Sequence, residues 1–384
     1  MNDYKKYWVW LSTALGAASR TDEIFGAFAR PHDIFEASET ERMISGVFTK
    51  KQLEKLNTTP MEKALHYISL CDKNGWQVVT PDCELYPADL KKLTDIPLVL
   101  YVDGSLDCLT DKVAIGVVGT RNPCYESIAV TRSISGELAK AGAVVVSGGA
   151  LGIDSAAHEA AMEAGGKTVC VMGCGLGTDY LRDNEAMRRQ IKKNGALVTE
   201  YPPFASASRV TFPQRNRIIS GLSKGVLVVE AGERSGSLIT ARLAAEQGRE
   251  VFAIPGSVLS TAYMGANSLI RDGAKAASCA RDILKPYALM YPDRLCLDGL
   301  AESTVVEKAV AVTQVVPQKV KKECPAELDP DRQAVYNLIG EGVFHPDEIC
   351  AATGFPLSKV ISVLMRLEIE EYIEQTEGKN YILK

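Results

Sequence analysis

The sequence predicts an α/β protein built on a doubly wound, mostly parallel sheet, with a small helical domain before it and a winged-helix domain after it. Three observations carry this. Between Val113 and Ile254, apolar runs of four to six residues alternate with amphipathic stretches of ten to eighteen, the rhythm of βαβ units. The runs are apolar throughout, as strands buried on both faces must be. From Asp329 the chain gives three helical stretches and then a hairpin, the winged variant of helix-turn-helix.

Each element follows in order. Residues 1–75 form the helical domain: Tyr7, Trp8, Trp10, Leu11, Leu15, Ile24, Phe25 and Phe28 recur at helical spacing and are read as its core. Thr21 before Glu23, and Thr59-Pro60-Met61, mark helix starts. The sheet domain spans 76–290. Its irregular lead-in, punctuated by Tyr86-Pro87 and Ile96-Pro97, ends in a buried strand at 98–102. Strands are then expected at 113–118, 144–147, 168–172, 197–199, 225–230 and 251–254. Helices are expected at 125–141, 153–164, 184–193, 213–222 and 238–247. Residues 291–327, with Val315-Val316-Pro317 and the lysines from Lys319 to Lys322, lose periodicity and read as a linker. The winged helix occupies 328–384, with helices at 333–340, 346–352 and 357–367. Strands at 371–376 and 380–383 turn at Glu377-Gly378-Lys379.

Composition narrows the function classes. A chain of 384 residues, 46% hydrophobic, holds two or three domains with at least one sizeable core. It has no apolar run of membrane-spanning length, and Met1 to Lys6 mixes charges with aromatics rather than opening an apolar secretion signal. The expectation is a soluble, cytoplasmic protein with no membrane partner. None of the ten cysteines forms a CxxC pair, and no ligating His accompanies Cys170 and Cys174, so reduced thiols are expected, with no metal and no cofactor. A net charge of −5 excludes coating a polyanion by bulk charge; a nucleic acid must be held by a local patch of preorganised donors.

In an open parallel sheet, ligands bind at the carboxyl ends of strands, and there the loops are unusual. Gly119-Thr120-Arg121 lets a strand run into a helix with free N–H groups and a forked cation. Ser147-Gly148-Gly149-Ala150-Leu151-Gly152-Ile153-Asp154 is a second glycine-rich junction, although Asp154 can instead cap the next helix. His158 and Cys174 are read as packing residues. Arg215-Asn216-Arg217 follows Phe212-Pro213, with Arg209 upstream and no acid between Pro202 and Gly225, which suits phosphate contact. Arg234-Ser235-Gly236-Ser237 and Thr240, after Glu230, read as another anion nest. Pro255-Gly256 and Gly265-Ala266-Asn267 close the set. Among these motifs there is no Walker lysine, Ser-His-Asp arrangement or His cluster, so no catalytic residue is assigned and a non-enzyme is expected. Four nests in a row suit repeated phosphates, as a nucleic-acid strand presents them.

These blocks, in this order and spacing, resemble the DNA-processing protein A (DprA/Smf) family: Gly119-Thr120-Arg121, Ser147 to His158, Phe212-Pro213 to Ile219, Ser235 to Ala241, Pro255-Gly256 and Gly265 to Ala274. The resemblance implies an extended Rossmann-like fold, with a SAM- or helix-hairpin-helix-like N-terminal domain. It implies a homodimer through the Rossmann domain that binds and protects single-stranded DNA and loads RecA recombinase onto it during natural transformation. With the loops, it gives a candidate phosphate-binding set: Gly119, Thr120, Arg121, Ser147, Gly148, Gly149, Arg215, Asn216, Arg217, Arg234, Ser235, Gly236, Ser237, Thr240 and Asn267. The chain departs from the family pattern at Leu151, where an Arg is usual, at Leu181, where Pro usually follows the Tyr, and at Glu126, where Gly is common. The winged helix carries more acids than bases after Asp331, which favours a protein-contact or regulatory role over duplex reading.

Two other readings stand beside this one. A nucleotide phosphoribohydrolase would share glycine-rich phosphate loops and use Glu230 as its acid, but the Pro-Gly-Gly-x-Gly-Thr-x-x-Glu loop of that group is absent. An adaptor would act through its terminal domains.

Overall fold

The structure, a computed structural model, describes residues 4–180, 182–301, 328–341, 345–370, 372–375 and 381–383. The chain divides into two compact units, the second beginning at residue 310.

The first unit opens with six helices: α1 (Lys5–Leu15), α2 (Thr21–Ala27), α3 (Pro31–Glu36), α4 (Glu39–Ile44), α5 (Lys50–Thr58) and α6 (Met61–Asn74). Short helices need explicit starts, and two have full capping boxes, Ser38 with Glu41 and Thr49 with Gln52. Trp10, Leu11, Ile24 and Ile34 are fully buried, and the Trp10 indole donates to Thr59 O at 2.9 Å. The same core takes in Val78, Leu98, Val99 and Tyr101, so these helices are fused to the edge of the sheet.

The sheet follows as β1 (Gln77–Val79), β2 (Leu100–Gly104), β3 (Ala114–Val118), β4 (Val144–Ser147), β5 (Thr168–Val171), β6 (Gly195–Thr199), β7 (Gly225–Val228), β8 (Glu250–Ala253) and β9 (Lys275–Ala276). The crossover helices are α7 (Tyr125–Lys140), α8 (Ile153–Glu163), α9 (Glu185–Asn194), α10 (Thr211–Leu222) and α11 (Ser237–Glu246). Helices α12 (Met264–Arg271) and α13 (Ala280–Met290) complete the unit. Strand order is β1-β2-β6-β5-β4-β3-β7-β8-β9, with β2 antiparallel to both neighbours and every other pair parallel. Each internal strand splits its run between two cores. In β3, Ile115 and Val117 join the α7, α8 and α13 side, while Ala114 and Val118 join the α10 and α11 side. From β3 the chain builds outward to β6, then returns to place β7 on the other flank of β3. The crevice at that reversal is where an open α/β sheet binds its ligand.

Two differences from the sequence reading have physical reasons. The two- and three-residue strands β9 and β1, and helices α12 and α13, were not expected; such short edge strands carry too little apolar periodicity to stand out. The stretch read as linker from Tyr291 is anchored to the sheet unit: Leu295 and Leu300 are buried in its core, Cys296 N donates to Ala141 O at 3.0 Å, and Arg294 pairs with Asp111. The rest of that stretch, from 302 to 327, lies outside the described residues.

The second unit packs α14 (Pro330–Glu341), α15 (Pro346–Thr353) and α16 (Leu357–Ile369) against an antiparallel pair, β10 (Ile373–Gln375) and β11 (Tyr381–Leu383). This is the winged helix, cored by Val335, Ile339, Ile349, Val360, Leu364 and Leu367. The expected turn at Glu377-Gly378-Lys379 lies outside the described residues. Among the described residues, no helix is long and apolar enough to cross a membrane.

Candidate nucleic-acid interface

A cleft of about 440 Å³ opens at the reversal point between β3 and β7. One wall is the turn Gly119-Thr120-Arg121 after β3, and another is Ser235-Gly236-Ser237, where α11 begins. Arg209, just ahead of α10, and Phe212, Pro213 and Asn216 in its first turns close it. Two helix N-termini therefore face one crevice, and neither has a side-chain cap on its N-cap residue. Their dipoles favour an anion, with the Thr211 N–H held by Ser208 Oγ at 3.2 Å and the Ser237 N–H by Ser235 Oγ at 3.4 Å. The Ser235 and Ser237 hydroxyls lie 2.8 Å apart at the α11 end, and Thr240 lines the wall one turn further in. Val118, Ile219 and Ile239 add apolar surface.

The charge of the cleft comes from Arg121 and Arg209. Both are exposed, and neither has a carboxylate within ion-pair distance among the described residues, whereas Arg132, Arg182 and Arg189 are all paired to acids. The Arg121 guanidinium lies 5.5 Å from the centre of the Phe212 ring, which holds its planar fork over the cleft mouth. The sequence reading named both Arg209 and Phe212 around this motif but left them outside the site set. An acid-free stretch of charge was the signal available for Arg209.

The other candidates separate. Ser147 is fully buried and donates to Val117 O at 2.6 Å, so it is not a phosphate ligand. Gly148 and Gly149 serve packing rather than a ligand. A Cβ on Gly148 would lie 2.7 Å from Arg215 Nη2 and 2.8 Å from Asp154 Oδ2, and one on Gly149 would strike Cys170 Sγ. From this second loop, Ala150 and Asp154 reach the cleft; Leu151 is 42% exposed and does not line it. Gly152, at φ +80°, is glycine because a Cβ there would meet Thr120 O at 2.6 Å, where the first two loops cross.

Arg215 lines the cleft floor but is only 4% exposed; it donates to Gly148 O at 2.8 Å and also to Val171 O, stitching two strand ends together. Burial pushes the Asp154 carboxyl up, with the Arg215 charge opposing. Arg217 leaves the site altogether. It is 3% exposed, pairs with Glu200, and sets its Nε 3.1 Å from Asp95. Asn267 clamps Gly256 through both its N–H and C=O, at 3.2 and 3.1 Å, and Arg234 sits exposed outside the cleft lining.

Glu230 is buried below the crevice, where its Oε2 accepts the Cys124 N–H at 3.0 Å and fixes the start of α7. It does not line the cleft. His158 is a core residue. Thr168 gives its hydroxyl proton to Val145 O, so His158 Nδ1 donates to Thr168 Oγ1 at 2.7 Å and the ring is neutral. Burial, with the Arg215 charge adding, pushes this imidazole down to about 3. The unfolded chain therefore takes up a proton near pH 6.5 that the folded chain refuses. The stability tied to this group is complete above pH 6.5 and is lost as pH falls toward 3. Urea unfolding between pH 7 and 5 should show His158→Asn losing stability less steeply than the parent, by about 1 kcal/mol per pH unit. Equal slopes would refute this.

In the winged helix, α16 holds Leu357, Ile361, Met365 and Ile369 to solvent. Arg332 is tied to Asp329 and Glu370, and Lys359 to Asp331. This surface is apolar where a duplex reader presents cations.

Comparison with known proteins agrees with this architecture. Residues 77–288 match the model of DNA recombination-mediator protein A, and residues 320–379 match the DprA winged helix domain. The DNA processing protein DprA of Bacillus subtilis is 42% identical over 213 residues, covering 56% of this chain and 72% of that protein. Protein Smf of Escherichia coli is 33% identical over 331 residues, covering 86% and 83%. The crystal structure of DprA from Streptococcus pneumoniae superposes with a TM-score of 0.63 at 32% identity, over 74% of this chain and 98% of that one. DNA processing protein A from Helicobacter pylori, solved for its single-stranded DNA binding mode, gives a TM-score of 0.51 at 30% identity, over 56% and 97%. A matched central sheet unit, a matched winged helix and relatives aligned along most of the chain place this protein in the DNA recombination-mediator protein A family.

Proposed function

We propose that this protein binds single-stranded DNA through the β3–β7 cleft and takes part in DNA processing during natural transformation. The observation that carries the reading is the convergence on one crevice of two helix N-termini with Arg121 and Arg209, which have no carboxylate partner among the described residues. Helix ends and serine hydroxyls hold phosphate oxygens without needing bulk positive charge, which suits a chain of net charge −5. Phe212 at the same crevice offers a ring to a base. Family membership supports the finer reading: the chain acts as a homodimer through its sheet unit, in the cytoplasm, and loads RecA recombinase onto the strand it protects.

Fluorescence anisotropy with a labelled oligo-dT tests the binding step. Binding should weaken with salt, log K falling by about 0.7 per phosphate contacted for each unit of log salt concentration. Absence of binding, or binding indifferent to salt, would overturn the reading. The phosphoribohydrolase alternative requires release of free base from nucleoside monophosphates. A buried Glu230 already committed to the Cys124 N–H is poorly placed for that role.

A further inference from the structure

We propose that the bound strand does not end at the β3–β7 cleft but continues past Tyr180 into a second basic groove along α9, where Arg188 contacts phosphate and Phe204 stacks on a base. The proposal rests on the single-stranded DNA reading of the first cleft. The second groove, about 270 Å³, runs between α9 and the loop after β5, where Arg182, Arg188, Arg189 and Lys192 outnumber the lining carboxylates Asp103, Asp179 and Glu185.

Three observations carry it. The first is charge. Helix α9 packs Arg188, Arg189, Lys192 and Lys193 into six residues, with Arg182 just ahead of it. Arg182 is paired to Asp179 at 2.6 Å, Arg189 to Glu185, and Lys192 to Asp103 at 3.2 Å. Arg188 has no carboxylate within ion-pair distance among the described residues. The paired cations are exposed, and such pairs are weak enough to be exchanged for a phosphate.

The second is continuity. Tyr180 packs its ring 5.2 Å from Phe212, the residue under Arg121 in the first cleft, while its near neighbours Thr178, Asp179 and Arg182 line the second groove. Tyr180 thus touches a wall residue of the first cleft from within the loop that lines the second.

The third is an aromatic ring held out to solvent. Phe204 is 55% exposed, a large apolar surface left on show. Its position is built: a Cβ on Gly177 would lie 2.2 Å from Phe204 Cε1, so the glycine lets the ring rest against the loop that lines the groove. Trp76 supports it at 6.2 Å between ring centres. A solvent-facing ring next to the loop of a groove that holds an arginine with no carboxylate partner among the described residues suits the way proteins hold single strands without reading sequence.

The test compares oligo-dT of about six and about twenty nucleotides on the full-length protein, since site sizes run from about 4 to 16 nucleotides. The parent should bind the longer strand about tenfold more tightly than added sites alone explain, because the second groove is then filled. Arg188→Glu and Phe204→Ala should each remove that gain and leave the short-strand affinity unchanged. Lys140→Glu, the same charge change on an exposed residue of α7, should keep the gain. Equal length dependence in the parent and Arg188→Glu overturns the second groove while the first cleft stands. Failure of the parent to bind either strand overturns both.

Discussion

Replacing Arg121 with alanine should weaken binding of single-stranded oligonucleotide about ten- to a hundredfold while leaving thermal stability unchanged. The side chain is exposed, has no acidic partner among the described residues, and touches the fold through the Phe212 ring. Surface changes of this kind move folding free energy by no more than about 0.5 kcal/mol. A charge-assisted contact to phosphate contributes about 1.5–3 kcal/mol, and each 1.4 kcal/mol is tenfold in affinity. Removing one cation should also flatten the salt dependence by about 0.7 in slope. Arg121→Lys should restore part of the affinity, because an ammonium supplies charge without the planar fork. Unchanged affinity in Arg121→Ala would mean that the strand lies elsewhere.

That prediction depends on a distinction the sequence could not make by composition. Arg121, Arg209, Arg215 and Arg217 all belong to glycine-rich or acid-poor segments, yet two face the cleft mouth and two are interior. Helical geometry held part of the answer. Residues two apart on a helix point about 200° apart, so Arg215 and Arg217 cannot both reach one crevice. Which one turns inward depends on Gly148 O, Val171 O and Glu200, all distant in sequence.

The sheet was legible because burial on both faces makes parallel strands continuously apolar, as in the run Ala114–Val118. The loops at the strand ends were legible as special but not in their purpose. Gly119 and Ser235–Ser237 do line the cleft, whereas Gly148 and Gly149 make room for Arg215 and Cys170. A glycine that admits a ligand and one that admits a side chain look alike in sequence. The sequence offers α9 only as a helix, and only the fold shows that Arg188 has no carboxylate within ion-pair distance among the described residues while Arg182 and Arg189 do.

The opposite outcome is expected at Arg217. Arg217→Ala should destabilise the protein by about 3–5 kcal/mol, because it strands buried Glu200 and half-buried Asp95 without their shared counter-charge. Burial already pushes the Glu200 carboxyl up and Arg217 pulls it down, so without Arg217 it must rise further. A carboxyl whose folded value lies above its unfolded value lends stability at low pH and loses it as pH rises through the folded value. The defect should therefore be smaller at pH 5 than at pH 8 in urea unfolding. Adding Glu200→Gln should recover part of the loss, since it removes the charge that Arg217 neutralised. At a temperature where the variant is folded, its affinity for single-stranded DNA should match the parent's. An Arg217→Ala protein as stable as its parent but weak on DNA would return this arginine to the interface. The two arginines thus give separable signatures, affinity without stability at Arg121 and stability without affinity at Arg217, and together they fix which face of α10 the strand meets.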